Sequence, residues 1–219
     1  MPQGAAAKQS SGGGLTKVYL LAYNGASFFG WFMVLFSTVS CLINTHGDYT
    51  KVHSLVWPWL LVVQTTAIME VVHSMVGFVR APVTTTAMQV ASRLFLVWGV
   101  NYMFPAIGTH VSFSTMMIAW SIAECIRYSY YATNLLGSVP GVLNWARYNL
   151  FFVLYPMGVS SELTMVYQSL PYAQQWNPLY YYFLIATSLV YIPGFPVLFL
   201  HMVAQRRKYM KGSQEKKRQ

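Results

Sequence analysis

The chain has 219 residues, 55% of them hydrophobic and only 9% charged, with a mean hydropathy of +0.41. A soluble domain carries about 25% charged residues, so the composition excludes an ordinary soluble enzyme. The net charge of +9 does not signal nucleic acid either, because the basic residues sit at the two ends and at the edges of apolar runs. The length fits one domain. Cys41 and Cys125 both fall in apolar segments, which argues against a disulfide framework or a zinc site.

Residues 1–17, MPQGAAAKQSSGGGLTK, form a tail expected to be disordered and cytosolic. The tail is too polar, and the run behind it too long, for a cleaved signal peptide. Six apolar segments follow, at 18–43, 55–79, 87–107, 113–131, 143–167 and 179–203. Each is near the roughly 20 residues that cross a bilayer. RAPVTTT at 80–86 and GSVPG at 137–141 break the pattern. Residues 204–219 make a basic tail, expected to be loose and cytosolic. The pattern predicts an all-α polytopic membrane protein, a six-transmembrane-helix bundle over 18–203 with no internal repeat.

Lysine and arginine placement orients that bundle. The C-terminal tail holds seven of the 14 Lys and Arg residues, and Arg80, Arg93, Arg127 and Arg147 lie near segment ends on the same side. The other side has only Lys51, and the loop QSLPYAQQWNP has no positive residue. The positive-inside bias therefore puts both termini in the cytosol. The last four residues, KKRQ, match a dilysine retrieval signal of endoplasmic reticulum membrane proteins, a receptor-read address. The alternative is a basic tail that only satisfies the charge bias.

An ionisable group at membrane depth is expensive and is a functional candidate by default. Three glutamates fall inside apolar segments. Glu70 stands three residues before His73, and Glu124 three before Arg127. That spacing puts each pair on one helix face, where it neutralises itself and holds helices together. Glu162 differs, because no basic residue lies within a helical turn of it. Its neighbours Ser160, Ser161 and Thr164 can hydrogen-bond a carboxyl but not neutralise it. Glu162 is therefore the candidate general acid or base; the alternative is a structural carboxyl bonded to a neighbouring helix.

Tyr155 precedes Glu162 by seven residues in YPMGVSSE. Seven steps of about 100° end about 20° short of two turns, so the two share a face about 10 Å apart along the axis. That is too far for a direct hydrogen bond but leaves room for a substrate. Pro156 favours a kink between them, and Gly158 allows close approach of a backbone or a substrate.

RYNLFFVLYPMGVSSE (147–162) resembles the signature of the 3-hydroxyacyl-CoA dehydratases of very-long-chain fatty acid elongation, also called the protein tyrosine phosphatase-like A family. The resemblance extends through QTTAIMEVVHSMVGFVRAPVTTTAMQVASRLFLVWGV (64–100), AWSIAECIRYSYY (119–131) and YIPGFP (191–196), nearly the whole chain except its tails. It implies a six-span enzyme of the endoplasmic reticulum membrane that dehydrates a (3R)-3-hydroxyacyl-CoA to a trans-2-enoyl-CoA, the third step of the elongation cycle. It places the family's catalytic tyrosine and glutamate on Tyr155 and Glu162. It also implies long-chain and very-long-chain acyl-CoA substrates, membrane lipid, and the condensing and reducing enzymes of elongation as partners. The loop between the fifth and sixth segments is short beside some family members.

The phosphatase in the family name does not suit this chain. That chemistry needs the spacing C-x5-R, and Cys41 is followed six positions on by Gly47, Cys125 by Tyr131. Neither cysteine has the accessible, electropositive setting of a reactive thiolate. Dehydration removes a proton from C2 and expels the C3 hydroxyl, so it needs a base, an acid and donors toward the thioester oxygen. No metal or redox cofactor is required, and the five histidines form no ligand cluster. Tyr155 and Glu162 share the proton transfers in this reading, with Glu162 favoured on the leaving hydroxyl and Tyr155 on C2 or the carbonyl; the reverse stays open. Arg80, Arg93, Arg127 and Arg147 are candidates for the CoA phosphates, since arginine binds phosphate bidentately. Their alternative is to set topology or to pair with Glu124. A non-catalytic scaffold or lipid-binding relative would lack Tyr155 or Glu162, and a transporter often shows inverted repeats or matched broken helices.

Overall fold

The structure, a computed structural model, describes the backbone of residues 13–218 and side chains as far as Met210. Every regular element among the described residues is helical. Helix α1 (Gly14–Asn44) ends at a tight turn in which the Asp48 carboxylate accepts from the Thr50 amide at 3.1 Å. Helices α2 (Val52–Thr66) and α3 (Ile68–Met75) follow as one rod. Helix α4 (Val83–Leu94) runs into a π-helical segment, Phe95–Asn101, where the Asn101 amide donates to the Leu96 carbonyl at 2.8 Å. Next come α5 (Val111–Leu135), α6 (Gly141–Asn149), α7 (Phe151–Trp176) and α8 (Pro178–Arg218).

The centre of the bundle is α5, which packs on α1 and α7, while α8 packs on α7 and α6. Trp31 and Val34 of α1, Leu60 of α2, Met116 and Trp120 of α5 and Met165 of α7 make the core. A Cβ on Gly30 would lie 2.4 Å from a Val63 methyl, so glycine lets α1 and α2 close together. Outward, α1 carries Phe28, Phe29, Phe32 and Phe36, all exposed. A soluble protein rarely shows so continuous an apolar face, and a membrane-facing helix requires one.

Three rods are long and apolar enough to cross a membrane: Gly14–Asn44, Tyr49–Met75 and Pro178–Met210. The α6–α7 pair is a fourth if its 46° bend is counted within one span. The rod at 83–101 and α5 do not meet that combination of length and hydropathy, so the six expected segments are present as helices without all qualifying as spans.

Three local expectations are corrected. Helix α1 starts at Gly14 and not Val18, and the backbone of α8 continues to Arg218 where a loose tail was expected. Lys, Arg, Gln and Met are good helix formers, so nothing in QRRKYMK stops the helix. The bend near the Tyr155 stretch falls at Asn149–Leu150 and not at Pro156, which α7 absorbs. The Asn149 amide donates back to the Trp145 carbonyl at 2.8 Å, and its oxygen accepts from Arg206 at 3.0 Å. Side-chain bonds of that kind compete with the helical ladder and bend it. Residues 1–12 and the side chains of KKRQ lie outside what is described.

Candidate active site

Helices α4, α5, α6, α7 and α8 surround a cavity of about 580 Å³. Tyr155, Gly158 and Glu162 of α7 all line it, so the seven-residue spacing does put the phenol and the carboxyl on one wall. The Tyr155 ring stacks on Phe195 of α8, centroids 5.2 Å apart and planes 10° off parallel, and on Phe199 behind it. Its hydroxyl has no hydrogen-bond partner among the described residues.

Both carboxyl oxygens of Glu162 accept hydrogen bonds from other helices. The Trp120 indole N–H of α5 donates to Oε1 at 2.8 Å, and the Tyr191 hydroxyl of α8 donates to Oε2 at 3.0 Å. The hydroxyls beside Glu162 in sequence turn elsewhere. Ser160 and Ser161 donate to the Met157 carbonyl, Thr164 donates to the Ser160 carbonyl, and Ser161 also meets Thr115. Sequence reasoning therefore missed Trp120 and Tyr191, although both fall in the quoted blocks AWSIAECIRYSYY and YIPGFP. Only tertiary packing brings them to Glu162. A Cβ on Gly158 would sit 3.9 Å from Ala119 and 4.0 Å from both Glu162 Oε1 and Trp120. Those are ordinary contacts, so Gly158 keeps cavity space open beside the carboxyl instead of letting a backbone approach.

The four arginines separate. Arg147 is buried, lies with its guanidinium 4.0 Å from the Tyr130 ring centroid, and lines the cavity; its Nη1 is buried without a hydrogen-bond partner among the described residues. Arg93 lines the cavity too, but its guanidinium is ion-paired with Glu124 and stacks over the Trp120 ring at 4.9 Å. Arg127 stands outside the cavity lining in a buried network. Its fork takes Glu70 with two bonds of 2.7 Å, and its Nε reaches Glu124 at 2.6 Å. Arg80 is exposed between α3 and α4 and does not line the cavity. The expected Glu124–Arg127 pair is present, whereas Glu70 turns to Arg127 and the Tyr128 hydroxyl instead of His73. His73 instead meets the Tyr19 hydroxyl at 2.8 Å. Among the described residues no cluster of His, Cys, Asp or Glu could hold a metal ion.

An all-helical membrane protein with a tyrosine and a hydrogen-bonded glutamate facing one apolar cavity is the class that fold and site define together. Residues 64–212 match the model of the family described as protein tyrosine phosphatase-like protein, PTPLA. The very-long-chain (3R)-3-hydroxyacyl-CoA dehydratase PASTICCINO 2A of Oryza sativa subsp. japonica is 39% identical over 211 residues, covering 90% of this chain and 95% of that protein. The very-long-chain (3R)-3-hydroxyacyl-CoA dehydratase hpo-8 of Caenorhabditis elegans is 39% identical over 223 residues, covering 92% and 98%. The very-long-chain (3R)-3-hydroxyacyl-CoA dehydratase 2 of Homo sapiens is 37% identical over 217 residues, covering 93% and 85%. No solved structure matches the chain. The chain belongs to the PTPLA family.

Proposed function

We propose that this protein is a membrane-bound 3-hydroxyacyl-CoA dehydratase that converts (3R)-3-hydroxyacyl-CoA to trans-2-enoyl-CoA and water in very-long-chain fatty acid elongation. The observation that carries the chemistry is the shared cavity wall of Tyr155 and Glu162; the names of the relatives carry the substrate class. With both oxygens accepting hydrogen bonds, Glu162 is arranged as an acceptor, which suits it to take the C2 proton. The Tyr155 hydroxyl then gives its proton to the C3 oxygen as the C3–O bond breaks, and the electrons of the C2–H bond form the double bond. The proton on Glu162 returns to the Tyr155 oxygen through the product water, restoring both groups. This reverses the role on the leaving hydroxyl that the sequence favoured for Glu162. Trp120 and Tyr191 act as positioning residues for its carboxyl.

At the opposite end of the cavity Arg147 is the candidate for a CoA phosphate, supported by its place in the lining and its unpartnered Nη1. Arg93 and Arg127 already hold carboxylates, which favours a structural role for both. The direct test is turnover of a 3-hydroxyacyl-CoA by detergent-purified protein, read as enoyl-CoA formed. No product from a well-folded preparation would leave the scaffold reading in its place.

The full membrane arrangement is part of the same proposal: six spans, both termini cytosolic, in the endoplasmic reticulum with other elongation enzymes as partners. Helix α5 has 25 residues, about 37 Å of helix against a hydrocarbon core of about 30 Å. Its polar residues Glu124 and Arg127 face the bundle and not lipid, which accounts for its low hydropathy. A glycosylation acceptor inserted near Gln174 is expected to be modified, and one appended after Gln219 is not. The opposite pattern would invert the topology and put Arg147 on the lumenal side.

A further inference from the structure

We propose that the substrate's acyl chain leaves the bundle sideways, through a cleft between α4 with its π-helical segment and α8, and lies in membrane hydrocarbon. This rests on the dehydratase reading above. Met88, Ser92 and Phe95 line the cavity on one side of the cleft, and Phe183, Thr187 and Val190 line it on the other. The backbone of α8 lies close to α7 and α6 and to neither α4 nor the π-helical segment. The two sides meet at one end, where the Tyr180 hydroxyl donates to the Gly99 carbonyl at 2.6 Å and the Phe95 and Phe183 rings touch edge to face at 5.5 Å. A Cβ on Gly99 would lie 2.8 Å from the Phe95 ring and 3.0 Å from the Tyr180 oxygen, so glycine makes this joint possible.

Between the joint and Glu162 the cleft is open. Met88 and Val190 are each 67% exposed, although both line the cavity. In a membrane the surroundings of those apolar side chains are lipid tails, so the cavity is continuous with hydrocarbon.

Size requires such an opening. A cavity of about 580 Å³ falls within the roughly 300–1,000 Å³ that encloses a drug-sized ligand, and a very-long-chain acyl-CoA is far larger. Tyr191, which holds Glu162, stands eight residues from Phe183, about 12 Å along α8. An ordinary acyl chain fills a leaflet, half of an about 30 Å core. A chain whose C2 and C3 lie at Glu162 therefore reaches the Phe95–Phe183 joint before it ends. The joint blocks it there, so the chain turns out on the near side, through the stretch lined by Thr187 and Val190, where lipid solvates it and no wall measures it. The first carbons are gauged by the cavity and the rest are not.

The test uses the full chain in phosphatidylcholine nanodiscs with a long-chain 3-hydroxyacyl-CoA carrying a diazirine on its terminal carbon. Photolysis is expected to label lipid tails and the segments around Met88 and Val190. Label confined to interior residues such as Trp31 or Gln64, or absent from both lips of the cleft, overturns the proposal. In parallel, Val190→Trp and Met88→Trp are each expected to lower the ratio of long-chain to short-chain turnover by about tenfold or more, while Phe36→Trp on the outer face of α1 leaves the ratio unchanged. An unchanged ratio in both cleft variants also overturns it. Labelled lips without enoyl-CoA formation would leave the cleft standing and remove the dehydratase reading; enoyl-CoA with interior label would do the reverse.

Discussion

Glu162→Gln and Tyr155→Phe are each expected to lower dehydration by about 10²–10⁴-fold while leaving a folded, inserted protein. The geometry makes both changes conservative in everything but the proton. Glutamine at 162 can still accept from the Trp120 N–H at Oε1, and its amide can donate to the Tyr191 oxygen, so the bonds that fix Glu162 are replaced in kind. Phenylalanine at 155 keeps the stack on Phe195 and Phe199 and removes a hydroxyl that has no partner among the described residues to lose. Since the two groups act in one proton cycle, the double variant should lose far less than the product of the single losses. Glu70→Gln and Glu124→Gln are the controls, expected to lower protein yield while activity per folded molecule is largely kept. Wild-type turnover by Glu162→Gln, measured with purified protein, would mean that a different carboxyl does the work.

Relations along one helix were legible in the sequence, and relations between helices were not. Tyr155 and Glu162 share a wall because seven residues nearly complete two turns, a property of the helix alone. The same logic found the Glu124–Arg127 pair. It went wrong at Glu70, whose partner Arg127 stands 57 residues away, because Arg127 and Tyr128 of α5 both reach Glu70 across the bundle and no sequence spacing shows that. Trp120 and Tyr191 were invisible as partners of Glu162 for the same reason, at 42 and 29 residues' separation. The bend follows asparagine and not proline. Pro156 costs α7 the single donor that would have reached the Phe152 carbonyl, whereas Asn149 has a side chain held both by its own helix and by Arg206 of α8. The π-helical turn at Phe95–Asn101 had no signal in periodicity, and it carries Phe95 and Gly99 to the closed end of the cavity.

Arg127→Met is expected to destabilise the fold by about 3–5 kcal/mol, the cost of leaving buried charges without their partner. Side-chain exposures are 15% for Arg127, 17% for Glu70 and 1% for Glu124, so little water is at hand to replace the guanidinium. Glu70 would lose both arms of its fork and keep the Tyr128 hydroxyl, a hydrogen bond of 2.5 Å without a charge. Glu124 would keep only Arg93 as its ion-pair partner among the described residues. That guanidinium stacks over Trp120, whose N–H holds Glu162, so a shifted Arg93 would be felt in kcat through Glu162 and not in KM. Arg127→Lys should fall between wild type and methionine, because one ammonium cannot fork to Glu70 and also reach Glu124. The measurement is thermal melting of detergent-purified protein alongside KM for the acyl-CoA. A network role predicts a large drop in melting temperature with KM per folded molecule nearly held. A CoA-binding role predicts a raised KM with an unchanged melt, and that result would move Arg127 from the scaffold to the substrate site.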